Sequence, residues 1–427
     1  MAVCVPRRVA LQLGAGALLG SALERSAFAQ AARTRLRMTW WGGTDRAKRT
    51  QAALEAYQKQ NAGTQIDTET IGWGDYWTRL ATQVAGGNAP DIIQMDYRYI
   101  YEYARRKALR PLDEFMPNPL DISDFGTANI DTGKVDGQIF GVSMGVNSNA
   151  LFYDTAVFDR LKIAPPNATT TWAQYAELAT QITKAEKRRG FFGSSDMGYF
   201  EPALEVWVRQ RGKQLYTADG KMGFERDDIA AWFDYWDKLR KAGGAVTGDL
   251  QAMHRNTPET DMLTTGRSAM TFAHANQIVA WQGLNKSKLG MTMFPQGKQP
   301  GQYYKPSMLL SMSATTQQAR EAASIINFIS THPEAAAALN VERGVPPSRK
   351  MREVLLTQVD ELGKMQIDYI SSIADKVSSL PPPPPKGAGE VEQLLRRVYE
   401  TISVGGGTVP HAADQFMTEA KRAIERA

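Results

Sequence analysis

Cysteine and histidine are scarce in this chain of 427 residues. Cys4 is the only cysteine, so the chain cannot form an internal disulfide, and no later cysteine can act as a nucleophile or a lipid anchor. The four histidines do not stand at metal-ligand spacing from other ligand residues. Walker and dinucleotide-binding glycine patterns are also absent. We therefore expect no metal and no cofactor.

Long apolar runs are lacking as well. No segment after the first thirty residues approaches eighteen consecutive apolar residues, so we expect no direct membrane insertion. The net charge is +5, but lysines and arginines are scattered and form no basic stripe. We therefore expect no nucleic-acid partner.

The beginning of the chain has the layout of a cleavable export signal. Arg7 and Arg8 precede an apolar run over 9–23, and small residues after it suit cleavage before Gln30. This pattern predicts a signal peptide over 1–29 and a periplasmic mature protein. The arginine pair leaves both Sec and twin-arginine export open.

Hydrophobic periodicity predicts alternating strands and helices in the first part of the chain. Apolar residues alternate over 36–40 and 66–70, as in strands with one buried face. They recur every three or four residues over 47–57 and 76–84, as on one face of a helix. A short apolar strand follows at 90–96. This order predicts an α/β fold with a mainly parallel sheet.

Later segments continue the same two periods. The predicted helices are 172–185, 229–239, 317–330 and 391–402, and the predicted strands are 269–272, 291–294 and 308–313. We expect the tryptophans of the helical stripes in the core. The prolines at 381–385 fix φ and lack N–H groups, so we interpret them as a rigid surface connector. The chain is long for one hydrophobic core, which favours two lobes with a cleft between them.

Aromatic residues are frequent near the predicted strand ends. A sugar places its C–H face on an aromatic ring and its hydroxyl groups against polar side chains. Trp40 and Tyr76 fall on buried faces by their period and are expected in the core. Trp41, Trp73 and Tyr97 lie in predicted turns and are candidate ligand contacts.

One pair of carboxylates leaves enzymatic chemistry open. Glu201 and Glu205 are four residues apart and can share a helix face, and glycoside hydrolases use two neighbouring carboxylates. Isolated surface carboxylates are far more common, and nothing in the sequence marks either residue as a proton donor. A secreted glycoside hydrolase therefore remains an alternative to a binding function.

Four segments carry more specific patterns. Residues 87–93 read Gly-Asn-Ala-Pro-Asp-Ile-Ile, and 137–154 include Gly-Gln-Ile-Phe-Gly-Val and Asn-Ser-Asn-Ala-Leu-Phe-Tyr-Asp. The other two are Gly-Arg-Ser-Ala-Met at 266–270 and the stretch from Lys305 to Ser313. Together they resemble the extracellular solute-binding proteins of carbohydrate ABC transporters, the family that includes maltose-binding protein.

The resemblance implies the type II periplasmic binding protein fold, which has two α/β lobes joined by hinge strands and closes on a ligand. It implies an N-terminal lobe at 30–146 and 308–343 and a C-terminal lobe at 147–307 and 344–427. It also implies a monomer without enzymatic activity, whose partners are a carbohydrate and the membrane ABC permease subunits.

The family's ligand contacts can be carried onto this sequence by position. The contacts implied by the resemblance are Trp41, Gly43, Asp45, Trp73, Asp96 and Tyr97 in the first lobe, Asn147 in the hinge, and Glu201, Asn276, Trp281 and Arg343 beyond it. Many relatives have an aromatic ring where Asn276 stands. Its absence leaves the linkage and the length of the ligand open.

We therefore expect a periplasmic receptor that captures a mono- or oligosaccharide between its lobes and delivers it to an ABC permease. The segments 40–43 and 72–74 resemble binders of plant-derived sugars, including oligogalacturonides, so an acidic-sugar receptor is an alternative. Arg46, Arg98 and Arg343 are candidates for holding a uronate carboxylate. A polyamine or ferric-ion receptor is a further alternative, and it predicts a cleft dominated by carboxylates or tyrosines without tryptophan platforms.

Overall fold

The computed structural model describes residues 34–42, 44–254 and 258–426, with the backbone alone at positions 44, 45, 73, 74 and 98. The predicted signal peptide at 1–29 lies outside the described residues. Across these ranges, every helix is too short or too polar to span a bilayer.

Strands and helices alternate through most of the described chain. The strands are β1 Thr34–Trp41, β2 Thr64–Ile71, β3 Ile92–Met95, β4 Lys134–Val135, β5 Gln138–Ile139, β6 Val142–Ser143, β7 Val146–Asn147, β8 Asn149–Asp154, β9 Met270–His274, β10 Leu289–Thr292, β11 Lys305–Pro306 and β12 Leu309–Met312. The helices are α1 Thr44–Gln60, α2 Trp73–Ala85, α3 Tyr97–Arg105, α4 Thr127–Ile130, α5 Thr155–Leu161, α6 Trp172–Ala185, α7 Glu201–Arg209, α8 Arg226–Lys241, α9 Gly248–Gln251, α10 Ile278–Leu284, α11 Ala319–Thr331, α12 Pro333–Leu339, α13 Arg349–Leu356, α14 Glu361–Ser372, α15 Ala388–Ser403 and α16 Val409–Glu425.

The first lobe is built on a five-stranded sheet in the order β2-β1-β3-β12-β6. β1 pairs in parallel with β2 and β3, so α1 and α2 are crossover helices, which confirms the predicted alternation. In α1, Ala53, Leu54 and Tyr57 are buried while the opposite face is exposed, as its period predicts. β12 runs antiparallel to both β3 and β6, so the complete sheet is mixed.

The second lobe contains a three-stranded sheet in the order β10-β8-β9, and both of its pairings are antiparallel. The mainly parallel sheet predicted from the first part of the chain therefore does not extend to this lobe. Short apolar runs mark a buried strand, but they carry no information about its direction. β8 is buried on both faces, with Leu151 in one core cluster and Ala150 and Phe152 in the other.

The larger core of the second lobe is rich in tryptophan. Trp232 and Trp236 on α8 are fully buried, and Trp172 at the start of α6 is nearly so, as the helical stripes predict. Each polar ring nitrogen needs a partner in such a place. The Trp232 ring N–H donates to the Gly198 carbonyl at 2.7 Å, and that of Trp172 donates to Gln210 at 2.7 Å.

The two lobes are joined where β7 and β11 pair antiparallel, with Lys305 opposite Asn147 and Pro306 opposite Val146. A third segment lies beside them, because Val146 also forms a bridge with Val345. These three segments form the hinge. The predicted lobe boundaries at 146/147, 307/308 and 343/344 stay a prediction.

Glycine is required at one position in the hinge. A Cβ atom on Gly145 would lie 1.8 Å from the Arg343 carbonyl oxygen, which is far inside van der Waals contact. The backbone N–H of Ser307 donates to the Gly145 carbonyl at 2.9 Å, and its hydroxyl donates to the carbonyls of Gly145 and Arg343. Ser307 thus ties the other two hinge segments together.

Candidate ligand-binding site

A cavity of about 250 Å³ lies where the hinge, the end of β3 and the start of α7 meet. Tyr97, at the first position of α3, contributes from the first lobe. The other lining residues come from the hinge and the second lobe, and they are Glu201, Pro202, Glu205, Leu215, Tyr216, His274, Tyr303, Lys305, Pro381, Pro382, Pro384, Pro385, Ala388, Gly389 and Glu392. Residues of both lobes therefore face one enclosed space.

Glu205 is the most deeply buried carboxylate of this cavity. Its Oε2 accepts a hydrogen bond of 2.7 Å from the Tyr303 hydroxyl. Burial raises the pKa of Glu205, and the bond from Tyr303 and the charge of Arg209 partly oppose that rise. Glu205 is therefore held in place by Tyr303 and lies in a poorly solvated environment.

Tyr216 presents a hydroxyl group that has no hydrogen-bond partner. The residue is 4% exposed, and it lines the cavity. Burial raises the pKa of this phenol, and the charges of Glu201, Glu205 and Glu392 raise it further. A buried hydroxyl without a partner costs free energy, so this group is suited to pair with a ligand.

Two nitrogen groups complete the polar lining. The Lys305 ammonium lies 5.8 Å from the centre of the Tyr97 ring, which is a cation–π distance. Burial and the charge of Lys305 lower the pKa of His274 to about 3, so its imidazole is neutral at pH 7. Lys305 is thus the cation of the cavity lining.

The proline segment differs from its interpretation as a surface connector. Pro381 is buried, Pro382 to Pro385 are half-buried, and four of the five line the cavity. The sequence predicts their extended conformation, but it gives no sign that this rod packs against α7 and the start of α15.

Trp41 is placed inside an aromatic cluster of the first lobe. It is 7% exposed, and its ring lies 5.2 Å from that of Tyr76 and 5.6 Å from that of Trp77. Trp77 stacks in turn on Tyr99, with 3.8 Å between ring centres. Trp41 is not among the lining residues of the cavity, whereas Tyr97 is. Trp40 and Tyr76 are buried, as expected.

The remaining first-lobe candidates surround the end of β3. Asp96 is half-buried, and its carbonyl accepts the first N–H bonds of α3, from Tyr99 and Ile100 at 3.1 Å each. Gly43 lies outside the described residues. Asp45 and Trp73 stand in α1 and α2, but their side chains lie outside the described part of the structure.

Two second-lobe candidates lie away from the cavity. Asn276 is bonded to Asn147: the Asn147 amide donates to the Asn276 side chain at 2.8 Å, and the Asn276 backbone N–H donates back at 3.2 Å. Trp281 is 4% exposed and packs edge-on against Phe152 in the core. Of the implied second-lobe contacts, Glu201 lines the cavity.

Arg343 is enclosed within the first lobe. It is 1% exposed and donates to Thr50 at 2.5 Å and to Gln94. Burial lowers the pKa of Arg343 to about 9. Arg46, another candidate for a uronate, is paired with Glu342 at 2.8 Å.

Sequence reasoning did not single out Tyr216, Tyr303, Lys305 and His274. Tyr303 and Lys305 are two residues apart, but Tyr216 and His274 come from other segments, and no spacing relates the three segments along the chain. The sequence gives one signal that points to Glu205 as a site residue. Glu205 is four residues from the candidate Glu201, and residues four apart share a helix face.

The segment Gly141–Gly145 reads Gly-x-Ser-x-Gly, a pattern typical of hydrolase nucleophiles. The strand, sharp turn and helix that expose such a serine are not found here. Ser143 lies in β6, is 3% exposed, and donates to the Gly145 carbonyl at 3.0 Å. No group of three potential metal ligands occurs among the described residues either.

The chain belongs to the family of bacterial extracellular solute-binding proteins, which matches residues 52–357. It is therefore a solute-binding receptor of the ABC transporter class. This confirms the family resemblance found in the sequence.

Solved structures confirm the two-lobed α/β fold. A family 1 extracellular solute-binding protein from Alicyclobacillus acidocaldarius is 29% identical with a TM-score of 0.85, and the match covers 92% of this chain and 99% of that one. A periplasmic oligogalacturonide-binding protein from Yersinia enterocolitica is 21% identical with a TM-score of 0.77 and the same coverage. This second likeness shows the fold alone.

Sequence relatives are more distant. The sn-glycerol-3-phosphate-binding periplasmic protein UgpB of Escherichia coli is 20% identical over 378 residues, which covers 83% of this chain and 84% of that protein. A Brucella abortus protein is 21% identical over 175 residues, and the match spans 40% of this chain and 41% of the relative.

Proposed function

We propose that this receptor captures a mono- or oligosaccharide in the cavity between its lobes and delivers it to the permease of an ABC transporter. The observation that carries the proposal is the combination of polar and aromatic groups in one cavity shared by both lobes. Its described lining has carboxylates and tyrosines without tryptophan, which is also what the polyamine or ferric-ion alternative predicts, so that alternative stays open. Glu201, Glu205 and the free hydroxyl of Tyr216 suit sugar hydroxyl groups, and the rings of Tyr97 and Tyr303 suit a sugar C–H face.

The size of the cavity favours a short ligand. Its volume of about 250 Å³ is slightly below the range of about 300–1,000 Å³ typical of small-molecule sites. We therefore propose a monosaccharide or a short oligosaccharide. The protein is proposed to act as a monomer in the periplasm after export by Sec or the twin-arginine route.

The acidic-sugar alternative loses two of its three candidate cations, and the side chain of the third, Arg98, lies outside the described part of the structure. The Arg46 guanidinium is paired with Glu342, and that of Arg343 is bonded inside the first lobe. The cavity lining instead contains three glutamates. We therefore propose a ligand without a carboxylate.

The glycoside hydrolase alternative receives support from the position of Glu201 and Glu205 at one cavity. Against it, Glu205 is bonded to Tyr303, and the family to which the chain belongs is one of solute-binding proteins. We propose that these carboxylates bind hydroxyl groups rather than transfer protons.

A thermal-shift screen of the mature protein against neutral sugars, uronates and their oligomers tests the proposal. A ligand at a hundred times its Kd adds about 2.7 kcal/mol to the unfolding free energy, which raises Tm by about 5 °C or more. The ligand recovered afterwards should be unmodified and bound one to one. Released reducing ends would establish a hydrolase, and no shift with any sugar would refute the proposal.

A further inference from the structure

The charges that line the cavity are mostly negative. Glu201, Glu205 and Glu392 contribute three carboxylates, and Lys305 contributes the one ammonium among the described lining residues. His274 is neutral at pH 7, because burial and the charge of Lys305 lower its pKa to about 3. With the glutamates ionised, the lining has a surplus of two negative charges.

The neighbouring guanidinium of Arg209 does not place a donor in the cavity. Its Nε donates to the Gly301 carbonyl at 3.0 Å, and Nη2 donates to Ser378 at 2.8 Å and to the Ser379 carbonyl at 2.5 Å. Arg209 therefore fixes the wall behind Glu205 and is not a lining residue. Among the described lining residues, an anion entering the cavity would meet one ammonium, that of Lys305, and three carboxylates.

The aromatic lining of the described part consists of tyrosine and histidine rings. Tyrosine rings attract cations through their faces, and two rings of this lining already have one: Lys305 stands 5.8 Å from the centre of the Tyr97 ring, and the Arg209 guanidinium stands 5.1 Å from that of Tyr303. Close by, the Tyr216 hydroxyl is buried without a partner among the glutamates. The three carboxylates exceed the one lining ammonium and suit a further cation, and the Tyr216 hydroxyl suits a hydrogen-bonding group of the same solute.

We propose that the solute carries a protonated amine beside its hydroxyl groups, as an amino sugar does, and that the site rejects sugars bearing carboxylates or phosphates. The inference rests on the proposed sugar-receptor function and adds the charge class of the solute. The ammonium binds between Glu201 and Glu205 through charge-assisted hydrogen bonds. A hydroxyl group of the same solute pairs with Tyr216.

Isothermal titration calorimetry of the mature protein at pH 6.5 tests this inference with matched probes. The series is glucosamine, glucose, N-acetylglucosamine and galacturonate, together with the corresponding disaccharides. Glucosamine or its dimer is expected to bind at least about tenfold more tightly than the neutral partners, because those lack the charge. N-acetylglucosamine controls for the substituent at the same carbon. The galacturonate arm is expected to give no heat.

Two variants locate the charge effect. Glu205→Gln is expected to lower the glucosamine affinity about tenfold and the glucose affinity by a clearly smaller factor, because the amide keeps one accepting oxygen but loses the charge. Glu201→Gln is a second, less buried replacement. Glu177→Gln removes the same charge from an exposed position of α6 and should change neither affinity. Tm values establish that each variant is folded.

The outcomes separate the two claims. If a neutral or acidic sugar binds as tightly as its amine partner, the charge inference is overturned while the sugar-receptor proposal stands. The same holds if Glu201→Gln and Glu205→Gln act no differently from Glu177→Gln. If no probe binds in any arm, the sugar-receptor proposal fails and the inference fails with it.

Discussion

His254 and Asp261 form a buried pair in the second lobe. We predict that their protonation gives the unfolding free energy an unusual dependence on pH. His254 Nε2 lies 3.5 Å from Asp261 Oδ2, and Asp261 also accepts from the Leu263 N–H at 2.8 Å and the Thr271 hydroxyl at 2.9 Å. Burial raises the pKa of Asp261 to about 6. Burial, with a smaller contribution from Arg396, lowers the pKa of His254 to about 4.

The two shifts have opposite effects on stability. Asp261 binds a proton more tightly in the folded state, so its contribution is present below pH 4 and is lost as the pH rises towards 6. His254 binds a proton more weakly when folded, so its contribution is lost as the pH falls from 6.5 to 4. Each shift corresponds to about 3 kcal/mol. Between pH 4 and 6 the pair holds about one proton in both the folded and the unfolded state, on Asp261 when folded and on His254 when unfolded. The contributions of the two residues to the slope of unfolding free energy against pH therefore cancel.

Single substitutions should expose the separate slopes. In His254→Gln, the unfolding free energy is expected to fall by about 3 kcal/mol from pH 4 to pH 6 relative to wild type, because only Asp261 titrates. In Asp261→Asn, it is expected to rise by about the same amount from pH 4 to pH 6.5. Urea denaturation followed by tryptophan fluorescence at half-unit pH steps measures both curves. Variants whose curves run parallel to wild type would refute the reasoning.

Three further predictions concern the hinge and the cavity. Gly145→Ala is expected to lower the unfolding free energy by about 1–3 kcal/mol in urea denaturation, because its Cβ would meet the Arg343 carbonyl. Gly283→Ala is the control: a Cβ at this position of α10 has open space, so the substitution should be neutral or stabilising. Tyr303→Phe removes the hydrogen bond to Glu205 and should weaken the best sugar of the panel by about 1 kcal/mol in calorimetry. It should also lower Tm, because the buried Glu205 carboxylate loses its partner. An unchanged affinity would contradict that role. Arg343→Met should leave the same affinity within about twofold, because Arg343 is enclosed in the first lobe, and a tenfold loss would place it in the site.

Periodicity accounts for what could be predicted of the fold. The alternation over 36–40 and the stripe over 47–57 correspond to β1 and α1. The single buried face expected for β1 is wrong, because β1 lies inside the sheet and Thr39 is buried along with Met38 and Trp40. The stripes that contain Trp172 and Trp232 likewise identify helices of the second lobe. Strand direction was missed there, since antiparallel and parallel strands share a period of two.

The candidate site was less predictable because its residues are brought together by tertiary structure. Tyr216, Tyr303 and Glu392 meet at one cavity although long stretches of chain separate them. Trp41 stands at a strand end, where ligands often bind, but its neighbours Tyr76 and Trp77 offer a nearby apolar surface that covers it. A turn position therefore does not by itself expose an aromatic ring.

The proline rod at 381–385 has a consequence for how the cavity recognises its contents. Proline has no backbone N–H, so this wall offers carbonyl oxygens as acceptors and no backbone donors. The fixed φ angles leave these residues little conformational freedom in the folded chain. Binding of a solute therefore costs little conformational entropy in this wall. The rod therefore forms a stiff wall of the cavity that presents no backbone hydrogen-bond donor.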